Sequence, residues 1–144
     1  MIDISKKPDV LRSAVAGGEL VLKTATIKEI ENNNIKKGNV FEVAKVAGNN
    51  AIKKTSDLIP YCHQIPVEAI DFNFKIDGNR IIARCSVKAH YKTGVEMEAL
   101  VGVSIALLTI WDMVKYLEKD ESGNYPITSI KDVEVIEKIK ERKK

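Results

Sequence analysis

Asp112 and Lys115 are the first charged residues after 13 uncharged ones, residues 99–111. Three positions apart, they share one face of any helix that contains them. An acid and an amine so placed can tune each other for proton transfer, or can form a plain intrahelical ion pair; the spacing allows both. In the apolar surroundings that the preceding run predicts, proton transfer gains weight. A second concentration of chemistry is KKTSDLIPYCHQIP, residues 53–66, which sets Lys53, Tyr61, Cys62 and His63 around a loop between a helix and a strand. Loops on a rigid scaffold gather binding groups. The same residues also have ordinary roles, lysines at the negative pole of a helix and a satisfied loop histidine.

Glu96-Met97-Glu98 opens the helix that Asp112 and Lys115 close. Carboxylates at a helix start are favoured by the dipole, so structure alone could account for both, and Met97 reads as core. Lys37-Gly38-Asn39 precedes another helix, where a lysine can join backbone N–H groups in holding a phosphate. The P-loop pattern GxxxxGK[ST] is absent from the sequence. One distance constrains these groups. Glu96 and Asp112 are 16 residues apart, roughly 24 Å along one helix at 1.5 Å per residue. They cannot line one small-molecule pocket within one chain, so a site using both is shared between subunits.

The elements that must position them follow from periodicity. Residues 1–18 carry a short helical pattern, with Pro8 in its first turn and Gly17-Gly18 as its stop. Residues 19–26 read as a strand, followed by a helical turn ending at Asn32-Asn33-Asn34. Val40, Val43, Ala44, Ala47 and Ala51 recur at helical spacing to about Lys54, with Asn39 and Glu42 as a capping box. Residues 57–60 read as a loop. Ile70, Phe72, Phe74 and Ile76 then alternate with polar residues. After Asp77-Gly78, Ile81, Ala83, Cys85, Val87 and Ala89 do the same, a hairpin signal that turns Cys85 to the core. Thr93 and Glu96 make a second candidate capping box for a long helix over residues 95–118, apolar nearly all round and therefore covered on two sides. Residues 127–139 end the pattern as a strand. The order is the split βαββαβ of an α+β, ferredoxin-like domain, an antiparallel sheet with helices on one face. So apolar a central helix predicts a homo-oligomer.

Size and charge are less specific. At 144 residues the chain fits one domain, residues 1–144. With 44% hydrophobic residues it can build a core, and 23 basic against 20 acidic residues leave only +3. That balance gives no reason to expect nucleic acid. Cys62 and Cys85 make neither a disulfide framework nor a metal-ligand spacing. The longest uncharged run is shorter than the about 20 residues of a membrane span. MIDISKKPDV carries no charged-then-apolar leader, so a cytoplasmic protein without membrane association is expected. Residues 138–144 read as a solvated, charged tail.

KKTSDLIPYCHQIP and TGVEMEALVGVSIALLTIWDMVK together resemble the two signature stretches of the cyclic pyranopterin monophosphate synthases, the molybdenum-cofactor biosynthesis protein C family. The similarity extends from Met1-Ile2-Asp3-Ile4-Ser5 through Lys37-Gly38-Asn39-Val40-Phe41 to the long helix. It implies a ferredoxin-like subunit in a hexamer, a trimer of dimers, with active sites at dimer interfaces. It implies conversion of 3′,8-cyclo-7,8-dihydro-GTP to cyclic pyranopterin monophosphate with loss of pyrophosphate. By motif position, Asp112, Lys115 and Lys37 match the catalytic residues. Tyr61, Cys62, His63, Met97 and Glu98, with Glu96 beside them, match substrate contacts, and Asp3 and Lys53 match accessory polar positions. The bacterial-type ending Lys-Ser-Gly-Gly-Lys-Ser-Gly is replaced by Glu137-Lys138-Ile139-Lys140-Glu141, in which Lys138 takes the first lysine's place.

The chemistry suits the residues. A triphosphate carries about four negative charges, which converging Lys37, Lys53 and Lys115 would meet. Clustered cations depress one another's pKa and make a better general base. No redox change is involved, so no cofactor is required and no metal site is expected; Mg²⁺ is a compatible companion of the phosphates. A ferredoxin-like RNA-binding module would need aromatic pairs on the third strand, residues 80–91, whose aromatics lie only near its end. A ligand-sensing domain is the other alternative, and Asp112 with Lys115 argues against it.

Overall fold

The computed structural model describes residues 1–141. Strand β1 (Val10–Val21) is followed by helices α1 (Thr24–Glu31), α2 (Val40–Lys53) and the single turn α3 (Thr55–Leu58). The hairpin β2 (Ala69–Asp77) and β3 (Arg80–Tyr91), the long α4 (Glu96–Glu118) and β4 (Ser129–Glu141) complete the chain. The sheet runs β2-β3-β1-β4, antiparallel at every contact. This is the ferredoxin-like order that the alternation predicts.

The hairpin forms where expected, with its turn one residue later. Asp77 still pairs with Arg80, so the two central residues are Gly78 and Asn79. Gly78 takes a φ of 60°, which suits glycine at the first central position of a II′ turn. Cys85 is fully buried between the sheet and the helices, and burial pushes its thiol pKa up to about 12.

The N-terminal region departs from expectation. Residues 10–21 are a strand, not a helix stopped by Gly17-Gly18. Its core-facing alternation, Val10, Arg12, Ala14, Ala16, Gly18 and Leu20, is built mostly from small residues because α4 lies close above it. A Cβ on Gly18 would stand 3.0 Å from both Leu107 Cδ1 and Val103 Cγ1. Small residues demanded by a close helix mimic helix propensity and mute the period of two. Residues 138–141, assigned to a charged tail, continue β4 instead; the last three residues lie outside the described residues.

Helix α4 is long and apolar enough to cross a membrane, yet it packs as a core helix. Ala99, Val103, Ala106, Leu107, Ile110 and Val114 are buried. Its two covered sides are supplied within the chain, by α2 on one flank and by the sheet below. A Cβ on Gly102 would meet Ile52 Cδ1 of α2 at 2.6 Å and Cys85 Sγ of β3 at 3.0 Å. Both neighbours are buried and cannot withdraw. Gly102→Ala should therefore cost about 1–3 kcal/mol through overpacking, read as a lower urea midpoint with unchanged slope.

Candidate functional site

The residues singled out by type fall into two groups at opposite ends of α4. At the C-terminal end, Asp112 binds two lysines. Lys115 Nζ lies 3.0 Å from Asp112 Oδ1, and Lys37 Nζ lies 3.3 Å from Oδ2 while donating to the Asp112 carbonyl at 3.0 Å. Lys115 belongs to the same helix, and Lys37 comes from the loop between α1 and α2. Gly38, with a φ of 112°, turns that loop into the α2 N-cap, where Asn39 Oδ1 accepts from Phe41 N and Glu42 N. Only this half of the capping box forms, because Glu42 pairs with Lys45.

The cluster is not in apolar surroundings. The side chains of Lys37, Asp112 and Lys115 are 45%, 59% and 43% exposed; Asp112 and Lys115 lie on the outward face of α4, while Met113, Val114 and Glu118 of the same turns stay buried. Hydrogen bonds from Lys115 and Lys37 hold the Asp112 carboxyl below its ordinary pKa. The Asp112 hydrogen bond and charge raise the Lys115 pKa, so mutual depression by clustered cations does not govern that lysine. Asp112 is the shared anchor of two protonated amines aimed at one patch of surface.

At the N-terminal end of α4 a cleft of about 430 Å³ is lined by Tyr61, Cys62, His63, Glu96, Met97 and Glu98, together with Met1, Ile2, Ile4, Lys7, Thr93 and Gly94. The segment after α3 contributes one wall, the first turn of α4 another, and the N-terminal segment a third. His63 Nε2 donates to the Ile2 carbonyl at 2.7 Å, which fixes a proton on that nitrogen and ties the N-terminal segment over the cleft. Asp3 does not line the cleft; its carboxyl accepts the Ser5 N–H at 2.8 Å and stays below its ordinary pKa.

Thr93 does not cap α4. The N-cap is Val95 and no side chain fills the cap. Glu96 instead reaches across to Lys138 of β4, 3.3 Å from Nζ, leaving its Oε2 buried and without a partner among the described residues. Met97 is 37% exposed and lines the cleft, so it is not core. Burial and the nearby Glu98 and Glu96 charges raise the Cys62 pKa, which keeps the thiol neutral and unsuited to nucleophilic attack. Lys53 joins neither group; it lines a groove with Asn49, Val67 and Glu68.

Glu98 is 2% exposed, and burial pushes its pKa up to about 7 from an ordinary 4.5, with the Glu96 charge adding to it. The fold thus prefers protonated Glu98. That preference is complete below pH 4.5 and is lost as pH rises towards 7, where the folded chain must ionise a buried acid. Stability should fall by up to about 3 kcal/mol across this window. Glu98→Gln should flatten the fall, as measured by urea unfolding at several pH values.

Three further residues escaped the sequence reading. Lys7 brings a cation into the cleft. Arg12 is 5% exposed on β1, donates to the Lys92 carbonyl at 3.3 Å, and keeps a buried Nε unpartnered. It sits two positions along β1 from Ala14, which pairs with Lys138. The alternation of β1 would have flagged a charged residue at a core position. Glu118, fully buried at the end of α4, accepts from Lys23 N at 3.2 Å, from Thr128 Oγ1 at 2.6 Å and from Thr26 Oγ1. Its partners are remote in sequence, and no local signal announces it.

The chain is 61% identical over 142 residues to the probable cyclic pyranopterin monophosphate synthase of Saccharolobus solfataricus, covering 99% of this chain and 95% of that protein. It is 56% identical to the protein of the same name from Archaeoglobus fulgidus and 54% to that from Thermococcus kodakarensis, each over 97% of this chain and 90% of the relative. The profile of the MoaC family matches residues 1–141. By its sequence over almost its whole length the chain belongs to the MoaC family, and with it to the lyases of molybdenum-cofactor biosynthesis.

Proposed function

We propose that the protein converts 3′,8-cyclo-7,8-dihydro-GTP to cyclic pyranopterin monophosphate and pyrophosphate, at a site built from two subunits. The supporting observation is the separation of the two clusters along α4. Glu96 and Asp112 belong to one unbroken helix, so roughly 24 Å of rise divides the cleft from the lysine–aspartate cluster. A nucleotide-sized molecule engages both only if a second chain brings its own cluster to the first chain's cleft.

The cleft receives the substrate between Met97, Tyr61 and the neutral Cys62 thiol, with Lys7 and Lys138 facing the phosphates. Lys37 and Lys115 of the other subunit exchange protons with the purine-derived ring and the attacking hydroxyl, while Asp112 orients both amines. Cations at fixed positions also offset charge that develops on the departing pyrophosphate. No cofactor is needed for this rearrangement, and Mg²⁺ is compatible with the phosphates. The assembly in this reading is a hexamer of three dimers. The sheet face opposite the helices offers Ile136 and Ile139, 44% and 41% exposed, as apolar contacts for it among charged neighbours.

Turnover of the purified protein with the cyclised GTP derivative tests the reading. Chromatography should show the pterin product, with pyrophosphate released in equal amount. Unconverted substrate would count against it.

A further inference from the structure

The loop that carries Lys37 is held by a second contact, made by Tyr116. Tyr116 follows Asp112 by four positions on α4, so the two side chains lie one turn apart on the same face. They grip consecutive loop residues. The Tyr116 hydroxyl accepts the Lys36 backbone N–H at 3.0 Å, while Asp112 takes the Lys37 ammonium at 3.3 Å and its own carbonyl takes it at 3.0 Å. The Lys36 ammonium lies over the Tyr116 ring, 5.3 Å from its centroid.

The loop is also held by its own backbone, which sets Lys36 and Lys37 at the centre of a turn. Asn34 N donates to the Glu29 carbonyl, Gly38 N donates to the Ile35 carbonyl, and Asn39 caps α2. Ile35 is buried, but Lys36 and Lys37 are exposed. A lysine with a flexible four-carbon stem has many accessible positions. Anchoring the peptide immediately before it restricts the arc its ammonium can sweep and aligns that arc with Asp112.

The geometry points to Tyr116 as a positioning residue that latches the α1–α2 loop to α4 and sets Lys37 against Asp112. This inference rests on the catalytic role proposed for Lys37. Tyr116 touches no reacting atom in it; it acts through the backbone of Lys36. The hydroxyl supplies the hydrogen bond, and the ring supplies the cation–π contact, so the two can be separated by substitution.

Tyr116→Phe in the full-length assembled protein keeps the ring and removes the acceptor. Two readouts are expected together. Hydrogen exchange in a peptide covering residues 32–39 should accelerate by about tenfold, as the Lys36 amide loses its partner. The kcat should fall by about tenfold with KM within about twofold, because the loss is in alignment of a reacting group and not in substrate binding. The thermal midpoint should stay that of the unsubstituted protein. Unchanged exchange would overturn the latch, and faster exchange with undiminished kcat would overturn the positioning role. Full activity in Lys37→Ala would instead count against the catalytic role proposed for Lys37, and the exchange rate would then still decide whether the latch exists.

Discussion

Asp112→Ala is expected to lower kcat on the order of 10³-fold, the range for removal of a group on which acid–base catalysis depends. The size of the effect follows from the position of Asp112 between two amines. Its carboxyl meets Lys115 at 3.0 Å and Lys37 at 3.3 Å, so one substitution frees Lys115 and leaves Lys37 only the backbone carbonyl of residue 112. Lys115 then explores solvent, Lys37 loses one of its two holds, and the geometry that would deliver a proton is lost. Stability should hardly change, because exposed ion pairs of this kind contribute little to folding. Activity loss with an unchanged unfolding midpoint separates a catalytic role from a structural one. Asp112→Asn should retain part of the orientation but not the charge, and so fall between. Near-normal turnover in Asp112→Ala would remove the cluster from the mechanism.

Glu118→Ala should have the largest effect on stability, about 3–4 kcal/mol. The carboxyl takes the N–H of the α1 N-cap residue, the part that an N3 carboxylate plays in a capping box. Lys23, the N-cap residue, makes no side-chain cap bond, and the Lys23 N–H turns to Glu118 at 3.2 Å instead. The Thr26 and Thr128 hydroxyls donate to the same carboxyl, so it joins the start of α1, the end of α4 and the entry to β4. Removing it strands two buried hydroxyls and the part-buried Lys23 N–H, and opens a cavity. Glu118→Gln keeps the volume and one carbonyl oxygen, and should lose less. Equal midpoints for Glu118→Ala and the unsubstituted protein in urea would show that water replaces these contacts freely.

What could be read from the sequence depended on whether the determining contacts were local. β2, β3 and α2 follow from periodicity, because each buries one well-marked face, and α4 follows from its long apolar run. Asn39 was recognisable as a cap because its partners are two and three residues away. β1 was misread because α4 presses on it and selects Ala and Gly, the residues that carry least patterning. Thr93 failed as a cap because Glu96 finds Lys138, 42 residues on, a better partner than its own helix start. At the candidate site, type and spacing picked out Asp112 and Lys115, while Lys37 owed its place to the family resemblance. The exposure of Asp112 and Lys115 depended on which face of α4 the core covers, and the rise rather than fall of the Lys115 pKa on its contact with Asp112. The cleft's third wall was hidden in the same way, since the N-terminal segment reaches His63 across 61 positions.

The shared site is tested most directly by mixing two inactive proteins. Glu98→Ala damages the cleft and Lys115→Ala damages the cluster. If each site takes its cleft from one chain and its cluster from another, a mixed pair contains one intact site and one doubly damaged site. Equal, fully exchanged subunits paired with two-fold symmetry should then recover about a quarter of the unsubstituted activity. A mixture whose exchange is verified by native mass spectrometry, yet which stays as inactive as either parent, would contradict a site shared between subunits.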